Sequence, residues 1–170
     1  MPKSATKCVG NVFYDARSEA TSYNDRFGSR EGVAEETGLE RTRLARIELG
    51  VLDPYPEEVI IMASAYNAPD LENKYCSLMC PIGKKKVPQL EVNQSDKAVS
   101  NFMAAYLALK RSETSIEDLV ISAAGNGAIT EESLPILAHI IELASALSRR
   151  TQELALWAEK NTRKGEAKID

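Results

Sequence analysis

The sequence predicts an all-α protein: five short helices form a first domain, and a second helical domain ends in one long helix. Three observations carry that reading. Apolar residues recur at three- and four-residue intervals through most of the chain, and β-branched alternation over strand lengths is almost absent. Proline and glycine cut the first half into short pieces, most prolines falling between Pro54 and Pro88. The second half keeps a long periodic run from Glu131 to about Thr162.

Each element has a local reason. Val9, Val12, Phe13, Ala16, Ala20 and Tyr23 share one helical face and define an amphipathic first helix. Ser29 is placed as the N-cap of a short second helix through Thr37, with Val33 and Ala34 inward, because its hydroxyl satisfies an amide that the helix start leaves open. Gly38 follows where a left-handed terminus favours glycine. A third helix runs from Arg41 to about Leu49, with Leu44 and Ile47 inward and Gly50 closing it. Pro56 suits the first turn of a fourth, which carries Val59, Ile60, Met62 and Ala63 and stops at Asn67-Ala68-Pro69. Asp70 is placed as the cap of a fifth, running to about Ser77. Beyond PIGKKKVP, helices over 95–111 and 115–124 precede a Gly125-Asn126-Gly127 turn and the long final helix. These breaks divide the chain into a helical domain over 1–80, a linker over 81–90, a helical oligomerisation domain over 91–162 and a disordered tail over 163–170.

Composition narrows the function classes. A length of 170 residues with 44% hydrophobic side chains suits one globular domain, or a small domain plus a helical appendage. No apolar stretch is long enough to span a membrane, and MPKSATKCVGNVFYDAR lacks a secretory signal, so a cytoplasmic location is expected. The net charge of −4 argues against a protein that coats nucleic acid without selectivity. Any polyanion contact must come from a small patch in the first half, where basic and acidic residues nearly balance.

The pair of short helices around Gly38 supplies that patch. A steep crossing there exposes one face of the second member, the arrangement by which a helix-turn-helix enters a major groove. From about Val12 to Tyr66 the chain resembles the Xre/lambda-repressor-like helix-turn-helix family of bacterial and mobile-element regulators. The matching residues are SREGVAEETGLERTRLARIELG, most specifically LARIELG followed by PYPEEVIIMA. The resemblance implies a compact five-helix DNA-binding domain and a transcription regulator, often a repressor, that binds a double-stranded operator as a homodimer. Two positions depart from the family pattern. Arg30 stands where glutamine often bridges phosphate and recognition helix, and Glu40 stands where a small polar cap is usual.

Arg41, Thr42, Arg43 and Arg46 are the candidate contact set. The first three lie in the first turn, which reaches base edges in such a helix, and arginine matches guanine with two parallel bonds. Arg46, three past Arg43, is open to pairing with a nearby acid instead. Ser29 and Arg30 are candidate phosphate contacts, with a purely capping role open for Ser29. In the final helix, Leu137, Ile141, Ala144, Leu147, Leu154 and Trp157 form a broad apolar face expected to meet a second copy or the neighbouring helices. Cys8, Cys76 and Cys80 fit no standard zinc spacing, so core packing is expected over a redox pair or a metal site. His139 is expected to pack or face solvent. SAAGNGAITEES has a calcium-loop rhythm, but Ser122, Ala124, Asn126 and Ser133 offer no carboxylate for the ion. No cofactor and no catalytic constellation is expected. The alternative reading is a helical adaptor or antitoxin-like protein that has lost DNA binding; Glu40, the acidic balance and the apolar C-terminal face favour it.

Overall fold

A computed structural model describes residues 8–92, 95–126 and 130–166. Among them the chain is all-helical and forms two compact units, one of the described residues up to 90 with those from 159 to 166 and the other of the described residues from 91 to 158. The first unit contains α1 (Val12–Ala20), α2 (Arg30–Thr37), α3 (Arg41–Glu48), α4 (Pro56–Ala65), α5 (Asp70–Leu78) and α6 (Gly83–Lys86). The second contains α7 (Ser95–Arg111), α8 (Glu113–Asn126) and most of α9 (Leu134–Glu166). The stretch 81–90, read from the sequence as a linker, carries α6 and belongs to the first unit. Asn73 on α5 holds it there, donating from Nδ2 to the Pro88 carbonyl (3.0 Å) and accepting from the Leu90 amide (2.8 Å). Gly125 and Asn126 of the expected turn close α8, and residues 163–166 of the expected tail continue α9, while Gly127 and residues 167–170 lie outside the described residues.

Caps set most of the boundaries in the first unit. The Asn11 side chain accepts from the Phe13 and Tyr14 amides and starts α1 after Val9, which is left 71% exposed rather than inward. The Ser29 hydroxyl accepts from the Gly32 amide at 3.0 Å, the cap expected of it. Glu40 does the same for Thr42 at 3.2 Å, a longer side chain serving where a small one is usual. Gly38 ends α2 with φ +74°, a conformation that L side chains adopt at a cost. At α5 the N-cap is Pro69, and Asp70 lies inside the helix, bonding Lys74 one turn on at 2.6 Å. A 3-10 turn over Asp25–Gly28, capped by Asn24, was not evident in the apolar spacing. It approaches α2 so closely that a Cβ on Gly32 would lie 2.1 Å from the Arg26 carbonyl oxygen.

The core of this unit gathers Phe13, Phe27, Val33, Leu44, Ile47, Val59, Met62, Tyr66 and Leu71, each contributing on the order of 1.5–3 kcal/mol by leaving water. Into it is set a charged network. Glu48, 2% exposed, accepts from Arg17 Nε at 2.5 Å and Nη2 at 3.1 Å, and from Arg30 Nε at 2.7 Å. Arg17 also donates Nη1 to the Phe27 carbonyl at 2.7 Å. Burial pulls the Arg17 guanidinium toward its neutral form, but the hydrogen bonds and charge of Glu48 outweigh it, holding the pKa above the ordinary value. Asn11 Nδ2 adds a bond to the Ile47 carbonyl at 3.0 Å. The end of α3 is therefore tied to α1, to the 3-10 turn and to the start of α2.

A buried ion left without its partner is costly, whereas a matched apolar replacement of the pair is not. Glu48→Gln is expected to lower the unfolding free energy by about 3–5 kcal/mol, measured by urea denaturation of the full chain followed by circular dichroism. Replacing the whole network, as in the triple variant Arg17→Met, Arg30→Met, Glu48→Met, should regain most of that loss.

Candidate nucleic-acid interface

With Leu44, Ile47 and Glu48 buried, the turn of about 100° per residue leaves an outward arc on α3 made of Arg41, Thr42, Ala45, Arg46 and Leu49. Arg41, Thr42, Arg46 and Leu49 are exposed and Ala45 half-buried. Arg46 makes no ion pair among the described residues. Arg41 Nε reaches Glu31 Oε1 on the first turn of α2 at 2.5 Å, but both side chains are more than half exposed, so water and salt weaken that pair.

Arg43 is placed differently from the other three. It lies at the edge of the arc, turned toward the start of α4. Its Nε bonds Glu58 Oε1 and its Nη2 bonds Glu58 Oε2 at 2.8 Å. Its Cζ sits 4.3 Å from the centroid of the Tyr55 ring. Glu58 is fixed in turn by the Tyr55 backbone amide, which donates to Oε2 at 2.7 Å. The Arg43 hydrogen bond holds the Glu58 carboxyl below the usual carboxylate range against the opposing effect of burial, and the same bond raises Arg43. The expected contact set is thus divided: Arg41, Thr42 and Arg46 face outward, while Arg43 is clamped at their margin. Sequence reasoning missed Glu58 and Tyr55. The available signal was a glutamate three residues after the residue that precedes the helix, the spacing of a capping box.

Ser29 and Arg30 precede and open α2. Ser29 spends its hydroxyl oxygen on the cap, and Arg30 spends Nε on Glu48, its Nη2 lying 3.6 Å from the Cys8 sulfur with a quarter of the side chain exposed. The remaining outward residues of α2 are acidic, Glu31, Glu35 and Glu36 all being exposed. The three cysteines are free thiols: Cys8 is buried beside Arg30, and Cys80 accepts from the Gly83 amide at 3.4 Å. Among the described residues no group of three or more histidine, cysteine or carboxylate side chains is placed to hold a metal ion. His139 is exposed, 4.0 Å from Glu142.

On α9, Leu137, Leu147, Leu154 and Trp157 are half-buried, while Ile141 and Ala144 are exposed. Among the described residues of the second unit, Ala98 and Leu119 are the buried hydrophobics. Val99, Met103, Tyr106 and Leu107 on α7, Val120 and Ile121 on α8, and Leu134, Ile136 and Ile141 on α9 are each at least 40% exposed. No described helix is long and apolar enough to cross a membrane. No family model, curated protein or solved structure matches the chain.

The different surroundings of two neighbouring arginines give a direct check. Arg46→Ala is expected to change stability by less than about 0.5 kcal/mol. Arg43→Ala should lower the melting temperature measured by circular dichroism, because it strips Glu58 of its cation and Tyr55 of its stacking partner.

Proposed function

We propose that this chain is a sequence-specific DNA-binding transcriptional regulator of the Xre/lambda-repressor-like type, acting in the cytoplasm as a repressor. In this reading α3 enters the major groove of a pseudo-palindromic operator, and two copies present their recognition helices about 34 Å apart. One observation carries it: α3 is anchored from behind by the buried Glu48 network while Arg41, Thr42 and Arg46 stand exposed on its opposite side. Arg46 and Arg41 supply base or phosphate contacts. Thr42 and the apolar Ala45 and Leu49 suit thymine methyl groups. Ser29 and Arg30 lie at the start of α2, where a phosphate would be received.

A second reading, a helical adaptor or antitoxin-like protein without DNA binding, is favoured by the acidic outer face of α2. Salt dependence separates the two. Duplexes selected from a random pool should bind the full chain, with affinity falling on the order of 10³-fold between 50 and 200 mM salt if a dimer neutralises about six phosphates. Absence of duplex binding at low salt would leave the adaptor reading in its place.

The homodimer is supported by the apolar side chains that α7, α8 and α9 leave exposed, among them Val99, Met103, Ile121 and Ile141, since large exposed apolar patches mark interaction surfaces. Sedimentation at micromolar concentration is expected to give two copies. Ile141→Asp, which sets a charge on that surface, should shift the mass toward one copy without loss of helix content.

A further inference from the structure

We propose that Glu58 and Tyr55 are positioning residues for DNA recognition, clamping Arg43 so that its unused N–H fork reads a guanine at the edge of the site. The inference rests on the DNA-binding reading above and assigns a role to two side chains that face Arg43 from the start of α4.

The geometry sets what Arg43 has left to offer. A guanidinium carries five N–H donors in one plane. Nε–H and one Nη2–H are spent on the two oxygens of Glu58, the side-on mode of arginine–carboxylate pairing. The Tyr55 ring lies against the group, with Cζ 4.3 Å from the ring centroid. The second Nη2–H and the Nη1 hydrogens are not taken by Glu58, the Tyr55 side chain being the other group in range, and the Arg43 side chain is 26% exposed. The outer pair, one from each terminal nitrogen, is the parallel fork that matches O6 and N7 of guanine. Because Glu58 is itself held by the Tyr55 amide, the fork is fixed before any ligand arrives. A reader fixed in advance loses little side-chain entropy on binding.

Charge decides between guanine and phosphate. The Arg43–Glu58 pair is neutral as a unit, and a phosphate drawn to the fork would meet the nearby Glu58 carboxylate. A guanine edge presents uncharged acceptors and carries no such penalty. The clamp therefore trades electrostatic attraction for direction. Arg46 and Arg41, with no carboxylate clamp of this kind, keep the ordinary charge-driven role.

The test measures binding of the full chain to its selected duplex, to single-base variants of it and to unrelated sequence, across a salt series. For Arg43→Lys, preference for guanine at one position per half-site should fall roughly 5- to 100-fold, with little change on unrelated sequence. For Glu58→Gln, the same preference should fall while affinity for unrelated DNA rises, and the salt slope should steepen by about 0.9 per protomer as Arg43 regains a net charge. That opposite movement would not come from a merely structural role. Tyr55→Leu, at a position 63% exposed, keeps the fold safe and should give a smaller loss of the same preference. An unchanged base preference in Glu58→Gln, or an equal loss on all sequences with a shallower slope in Arg43→Lys, would overturn the clamp while leaving DNA binding intact. A wild-type chain that binds no duplex would overturn both.

Discussion

The position of α3 depends on one buried carboxylate. Glu48 sits at the last residue of that helix and gathers Arg17 from α1 and Arg30 from α2, while Arg17 reaches on to the Phe27 carbonyl in the 3-10 turn. Hydrophobic contacts alone, at Leu44 and Ile47, would hold the helix down but resist its sliding or rotation weakly, since apolar packing has little directionality. Two guanidinium groups on one carboxylate supply the missing direction. The cost is the desolvation of three charges, which the fold offsets by leaving no oxygen of Glu48 unbonded. What the surface of α3 presents is consequently set from inside.

Much of the first unit was legible because its signals are local. Ser29 capping, the left-handed Gly38, Pro56 in the first turn of α4 and the inward Leu44 and Ile47 depend on residues within one or two turns of each other. The 3-10 turn at Asp25–Gly28 was hidden because four residues cannot display a period. The 81–90 segment read as a linker because its lysines and prolines are punctuation. It is held to α5 instead by two hydrogen bonds at Asn73, one donated and one accepted, which composition does not register. Val9 matched the apolar spacing of α1, yet the cap at Asn11 starts the helix after it.

The candidate site was legible only as a set of residue types. Four basic or hydroxyl residues on one short helix identify a face. Helical periodicity against buried Leu44, Ile47 and Glu48 sets the outward arc, but what each arginine has left to offer depends on partners elsewhere in the chain, above all Glu58 for Arg43. Arginine at these positions looks equivalent in sequence, and the structure separates them by what else their nitrogens touch. The same reasoning applies to Arg30, expected from its residue type as a phosphate contact, which here gives its Nε to Glu48.

A final constraint comes from charge. The protein is acidic, with exposed glutamates on α2 beside the cations of α3, so its long-range field does not favour a polyanion. On the proposed reading each copy brings few free cations to the duplex, and a single copy would hold it weakly. Two linked copies convert the second encounter into an intramolecular one, raising avidity without any further basic residue. The second unit has a surface suited to such pairing. Ala98 and Leu119 are its buried hydrophobics among the described residues, while valine, isoleucine and leucine side chains on three helices remain exposed. An acidic regulator with a small cationic face and a large uncovered apolar one is then internally consistent. On that proposed reading, selectivity would come from how the arginines are held, and affinity from how many copies hold them.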